Sequence, residues 1–75
     1  MKLTPIGSNQ TQVTLTDGTE VLFSYKTPVA ACMGDGTGFV RTDKKWSPTT
    51  SRHINKWLGE ALATVVPQET LDALA

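Results

Sequence analysis

Cysteine is almost missing from this chain. Cys32 is the single one in 75 residues, so no internal disulfide can form, and a reducing compartment is the natural expectation. Histidine is also single, His53. One Cys and one His without ligand spacing make no zinc-type donor set, so neither a metal nor a cofactor is expected. No apolar stretch approaches the ~20 residues a membrane helix needs. The opening M-K-L-T-P-I-G has one lysine but no apolar core, which argues against a secretion signal. A cytoplasmic, non-membrane protein is therefore expected. Net charge is missing too: 7 basic residues balance 7 acidic ones. Such a chain has no global field to draw it to nucleic acid or membrane, so contacts of that kind would rest on local charge.

What remains is enough for one small domain spanning 1–75, near the lower size limit for folding on one core. A domain of that size has little stability to spare, which makes self-association an option. Apolar residues are patterned rather than scattered, which argues against disorder. Leu3 and Ile6 mark a first short strand, and Pro5 in it cannot donate to a ladder, so it belongs at an edge. In Q-T-Q-V-T-L-T, Val13 and Leu15 alternate with polar residues, as in a half-buried strand. Asp17-Gly18 follows, and E-V-L-F-S-Y returns with Val21, Phe23 and Tyr25 on one face. The spacing predicts a hairpin over 10–25 closed by a two-residue type I′ turn. Val29 to Met33 reads as a strand between Pro28 and the glycine-rich turn at 34–38, and Phe39 to Thr42 as its partner. That turn lacks the G-K-[ST] and following helix of a phosphate loop.

A polar connection from Asp43 to Thr50 follows, with Trp46 expected to anchor it on the core. Thr49, Thr50 and Ser51 are candidate N-caps. Beyond them Ile54, Trp57, Leu58, Ala61, Leu62 and Val65 recur at spacings of three and four, which predicts a helix over about 50–65. Gly59 within it is counted as a penalty against alanine, and Lys56 with Glu60 as a one-turn ion pair. Pro67 ends that helix or starts a short one over 67–74, with Leu71 and Leu74 one turn apart. The expected fold is α+β: an antiparallel meander of four to five short strands over about 2–42, with one C-terminal amphipathic helix packed on a sheet face.

The neutral total hides a basic middle. Arg41, Lys44, Lys45, Arg52 and Lys56 stand close together, interleaved with Trp46 and His53. A helix start with hydroxyls and an arginine can hold an anion, and cations beside an aromatic suit single-stranded nucleic acid. A solvated face explains the same residues more simply. His53 and Cys32 could serve as base and nucleophile, but a thiol in the apolar run A-A-C-M behaves as a small hydrophobe. No acid stands at a spacing that would orient the histidine. No enzyme is expected.

V-L-F-S-Y-K-T-P-V-A-A at 21–31, R-T at 41–42 and K-W-S-P-T-T-S-R-H-I-N-K-W-L at 45–58 resemble a family of short uncharacterised phage, prophage and bacterial proteins. Its pattern is [F/Y]-S-Y-x-T-P-V-A followed by R-T-x-x-x-[W/Y]-S-x-T-T-S-x-H-I-N-x-W-L. The resemblance covers Val21 to Leu58, half the chain. It implies a phage or mobile-element origin, hence a host bacterial cytoplasm, and no activity. Ser24, Tyr25, Thr27, Pro28, Ser47, Thr49, Thr50, Ser51, His53, Asn55 and Trp57 match it, and several are polar beyond what a core requires. The expectation is a non-enzymatic accessory protein docking on a host or phage macromolecule, with nucleic acid as the alternative partner. Its candidate contact residues are Arg41, Lys44, Lys45, Thr49, Thr50, Arg52 and Lys56.

Overall fold

The structure is a computed structural model that describes residues 2–7, 9–59 and 61–74. Its elements run β1 (Lys2–Gly7), β2 (Gln10–Thr14), β3 (Glu20–Ser24), β4 (Thr27–Met33), β5 (Gly38–Thr42), α1 (Pro48–Leu58), β6 (Ala63–Val66) and α2 (Gln68–Asp72). Among the described residues the six strands form one sheet in sequential order. Neighbours from β1 to β5 pair antiparallel, and β6 pairs parallel to β5 after the α1 crossover. The α+β class thus matches the expectation from sequence, with a mixed sheet and one strand more than foreseen.

The helix expected over 50–65 is two elements. It starts at Pro48 because Ser47, not the threonines, is the cap: Thr50 N–H donates to Ser47 Oγ at 3.2 Å. It stops at Leu58 because Gly59 adopts φ 61° and returns its N–H to the Asn55 carbonyl at 3.0 Å. A glycine read as a penalty inside a helix is in fact its terminator. Beyond it Thr64, Val65 and Val66 are β-branched and extend along β5. Leu62 and Val65, placed on the helical stripe by spacing, are 94% and 60% exposed. The Lys56–Glu60 pair involves Glu60, which lies outside the described residues, as does Ser8 of the first turn.

Strand alternation gives the sheet two apolar faces. Leu22, Val29 and Ala30 pack under Ile54 and Leu58 of α1. Val21, Ala31 and Val40 pack under Leu71 of α2, so the short C-terminal helix covers the face that α1 leaves bare. At five residues α2 is too short to persist alone. Its fully buried Leu71, worth about 1.5–3 kcal/mol by burial, holds it to the sheet. Pro28 sits where the β3–β4 register breaks, a place that tolerates a residue without an N–H.

The β2–β3 hairpin forms as expected, but with another turn. Gly18 N–H bonds to the Leu15 carbonyl at 3.1 Å and Leu15 N–H to the Thr19 carbonyl at 2.8 Å. Gly18 has a positive φ and Asp17 does not, so this is a three-residue loop rather than a type I′ turn. Asp17 instead accepts Thr19 N–H at 2.9 Å. Gly34, in the β4–β5 turn, donates to Thr19 Oγ1 at 3.0 Å. The two turns therefore lock together at one end of the sheet.

Candidate functional site

The opposite end gathers the C-termini of β3 and β5 and the first turns of α1 and α2. A row of polar side chains runs through it, buried at Ser24, Thr50 and His53. Ser24 Oγ lies 2.8 Å from His53 Nδ1 and 3.1 Å from Thr50 Oγ1. The Ser47 hydroxyl donates to Thr50 Oγ1 at 3.3 Å. One donor direction satisfies the row: Ser47 to Thr50, Thr50 to Ser24, Ser24 to the imidazole. Among the described residues no buried side-chain nitrogen or oxygen lacks a partner. A serine beside a histidine suggests a nucleophile and base, but Ser24 is only 2% exposed and an electrophile has no approach to its oxygen. The arrangement fastens the first turns of α1 to β3. Cys32 stands opposite Glu20, four residues along β3 from Ser24, or about 13 Å at the strand repeat. It is therefore not paired with His53.

Beside this row Arg41, Lys44, Lys45, Trp46, Thr50 and Ser51 line a cleft between β5 and α1. Its cations are partly occupied. Lys44 Nζ lies 4.5 Å from the Trp46 ring centroid, and Arg41 donates to Asn55 Oδ1 at 3.4 Å. Asp43 shares the cleft, and Glu69 and Asp72 border Lys44 on its far side. Four of the seven residues singled out from sequence thus meet here, and one of them, Thr50, is buried in the polar row. Thr49, Arg52 and Lys56 do not line the cleft. They lie on the exposed side of α1, opposite Ile54 and Leu58.

Trp46 does not reach the core. It is 36% exposed, and its indole N–H donates to Gln68 Oε1 at 3.3 Å. The same oxygen accepts from Thr42 Oγ1 at 2.6 Å, while Gln68 Nε2 donates to the Pro28 carbonyl at 2.7 Å and to Asp72 at 3.0 Å. One glutamine in the first position of α2 ties β4, β5, the Trp46 loop and its own helix. Sequence reasoning gave it no role. The signal it offered was its place directly after Pro67, at a helix start.

A third surface lies on the face that α2 covers mainly over β4 and β5. Over β1, β2 and the C-terminal end of β3 that face stays open as an apolar groove lined by Leu3, Thr11, Val13, Phe23, Tyr25 and Lys26. Tyr25 stands at its rim with φ 58°, a backbone region that a bulky side chain rarely adopts. It is held there by its N–H bond to the Asn9 carbonyl at 2.7 Å. Its ring leans toward His53, centroid to centroid 6.1 Å, and is still 53% exposed.

Among the described residues no group of three or more His, Cys, Asp and Glu side chains could hold a metal ion. No helix among them is long and apolar enough to cross a membrane.

Fold and surfaces define a small α+β domain, a six-stranded mixed sheet with a short helix on each face. The chain belongs to a family of unknown function, DUF8033, whose model matches residues 1–73. The matched region is longer than the Val21–Leu58 span on which the sequence resemblance rests. No curated protein and no solved structure matches the chain.

Proposed function

We propose that this protein is a non-enzymatic accessory module, of the phage type its sequence resembles, that docks on a host or phage protein through the open groove over β1, β2 and β3. Tyr25 carries the reading. A tyrosine at φ 58° costs about 1–2 kcal/mol in backbone conformation. Half its surface is nonetheless exposed, so the ring is not placed there to fill the core. An aromatic held at such cost beside an apolar groove has the character of a binding anchor. Leu3 and Phe23 supply apolar surface beneath it, and Lys26 a charged rim.

The test is quantitative capture of one identified partner by the parent, Leu3→Glu, Tyr25→Gly, Lys45→Glu and Arg52→Glu proteins. The expected result is loss of that partner with the first two variants and retention with the last two. The reverse pattern would overturn the groove and favour the basic cleft.

Nucleic acid is the second reading, supported by Arg41, Lys44 and Lys45 around a part-exposed Trp46. It ranks lower because Asp43 shares the cleft and Lys44 is already engaged with the ring. Phosphate contacts release counterions, so such binding would weaken steeply with salt. Absence of any electrophoretic shift with single- or double-stranded DNA or RNA at low salt would end it.

A further inference from the structure

The two edges of the sheet are built differently. β1 carries Lys2 and Pro5, and its register with β2 slips between Pro5 and Gly7. Each of these devices discourages a foreign strand from pairing. β6 has none of them. Its sequence A-T-V-V is uncharged and largely β-branched, and no charged residue occurs anywhere from 61 to 68. Next to it stands Leu62, 94% exposed, and within it Val65, 60% exposed.

Backbone direction shows what this edge offers. The Val66 carbonyl accepts Asp43 N–H at 2.9 Å, so Val66 and, two residues back, Thr64 turn their backbone groups toward β5. Ala63 and Val65 then present theirs outward, because these groups alternate along a strand. We propose that β6 pairs antiparallel with β6 of a second copy of this chain, about a two-fold axis through Thr64, to make one sheet continuous across both. Ala63 of each copy exchanges both backbone hydrogen bonds with Val65 of the other. Thr64 faces Thr64 of the second copy in the intervening non-hydrogen-bonded pair.

Three features select this occupant. The register keeps the α1 face of both copies on one side, since paired residues share side-chain parity. It lays Val65 against Ala63 of the second copy and Leu62 against Val66 of the second copy, covering the two apolar side chains left bare at this edge. An uncharged strand is also its own complement: a two-fold axis sets no like charges opposite one another within it, whereas a charged strand would repel its copy.

The position of Thr64 supplies a direct test. Facing α-carbons in a non-hydrogen-bonded pair stand about 4.5 Å apart, within disulfide reach. Thr64→Cys in a Cys32→Ala background should cross-link under mild oxidation, and Asp35→Cys, in an exposed turn, should not. By sedimentation equilibrium the parent should dimerise between about 10 μM and about 1 mM, the range of a small interface. Val65→Pro removes an outward N–H while sparing the bonds to β5, and should weaken the dimer at least about tenfold. Circular dichroism matching the parent confirms that this variant folds; should it not fold, Val65→Lys takes its place with the same expected loss. A monomer throughout this range would overturn the pairing, as would a dimer without the Thr64→Cys cross-link. Equal cross-linking of Asp35→Cys, or a parent-like dimer from a folded edge variant, would do the same.

Discussion

The two ends of the sheet obey different rules. At the turn end, Asp17, Thr19 and Gly34 close two tight turns and lock them to one another with hydrogen bonds and close backbone contact. Little there is free to meet a partner. At the loop end, Ser24, Thr50, His53 and Gln68 take part in more side-chain hydrogen bonds still, yet the backbone is held at an unusual φ, an aromatic ring is left outside, and cations collect around a part-exposed tryptophan. One end uses its polar groups to finish the fold. The other uses them to hold side chains in place that the fold itself does not require. Candidate binding surfaces fall at the second end for that reason.

The most severe way to break this contrast is at the turn end. Gly34 has no positive φ, so its dihedrals would accept alanine. Its neighbours would not: an added Cβ would collide with the Asp17 carbonyl and stand 2.8 Å from Thr19 N and 2.9 Å from Gly18 C, all backbone atoms. Gly34→Ala should lower stability by about 1–3 kcal/mol or more, the range for overpacking a site that cannot yield. Partner capture should survive in the folded fraction. Urea unfolding measures the loss, and a variant as stable as the parent would mean that the two turns are not locked. At the loop end the comparable cut is Ser24→Ala. It leaves His53 Nδ1 buried without its donor, which costs about 1–3 kcal/mol, and it loosens α1 from β3. Hydrogen exchange should then rise first in the opening turns of α1. Uniform acceleration across the sheet would show that the polar row is not a local tie.

The two ends were unequally legible in the sequence. Asp17-Gly18 announced the turn end, because short-range chemistry fixes a hairpin. Only the turn type escaped, since the Asp17 side chain bonds Thr19 N–H and leaves Gly18 alone with positive φ. The loop end depends on partners far apart in sequence: Ser24 meets His53, and Gln68 meets Pro28 and Thr42. No local pattern encodes such pairs. β6 was hidden for another reason. A-L-A-T-V-V satisfies the helical spacing and the strand composition together, and only the conformation of Gly59 decides between them. The basic residues were easy to see and hard to place. Arg52 and Lys56 are one helical turn apart, so a helix that buries Ile54 and Leu58 turns both of them outward, away from Arg41.

A smaller effect of opposite sign sharpens the contrast. Tyr25→Gly removes the strain of a left-handed tyrosine and loses only the part of the ring that touches the chain near His53. Stability should rise by up to about 1 kcal/mol, while partner capture falls. A variant less stable than the parent would make Tyr25 a structural residue and withdraw it as the binding anchor.

The smallest effect returns to the turn end, where acid should act. Asp17 is held below its usual pKa of 3.8, chiefly because Thr19 N–H donates to it. Asp35 is held below 3.8 by the Thr37 hydroxyl and then by Thr37 N–H. A carboxylate with a depressed pKa stabilises the fold at pH values above its unfolded pKa and loses that contribution as pH falls through the folded one. These two contributions should therefore be intact above about pH 5 and disappear below 3.8, in the range of the depressed values. Both groups are exposed, so the change is small. Urea midpoints of the parent and of Asp17→Asn/Asp35→Asn, compared at about pH 5 and about pH 2, isolate it. The double variant should lose less stability than the parent over that interval. An equal loss would mean that the aspartates close their turns just as well when protonated, and that the turn end owes its order to the Gly34 contact alone.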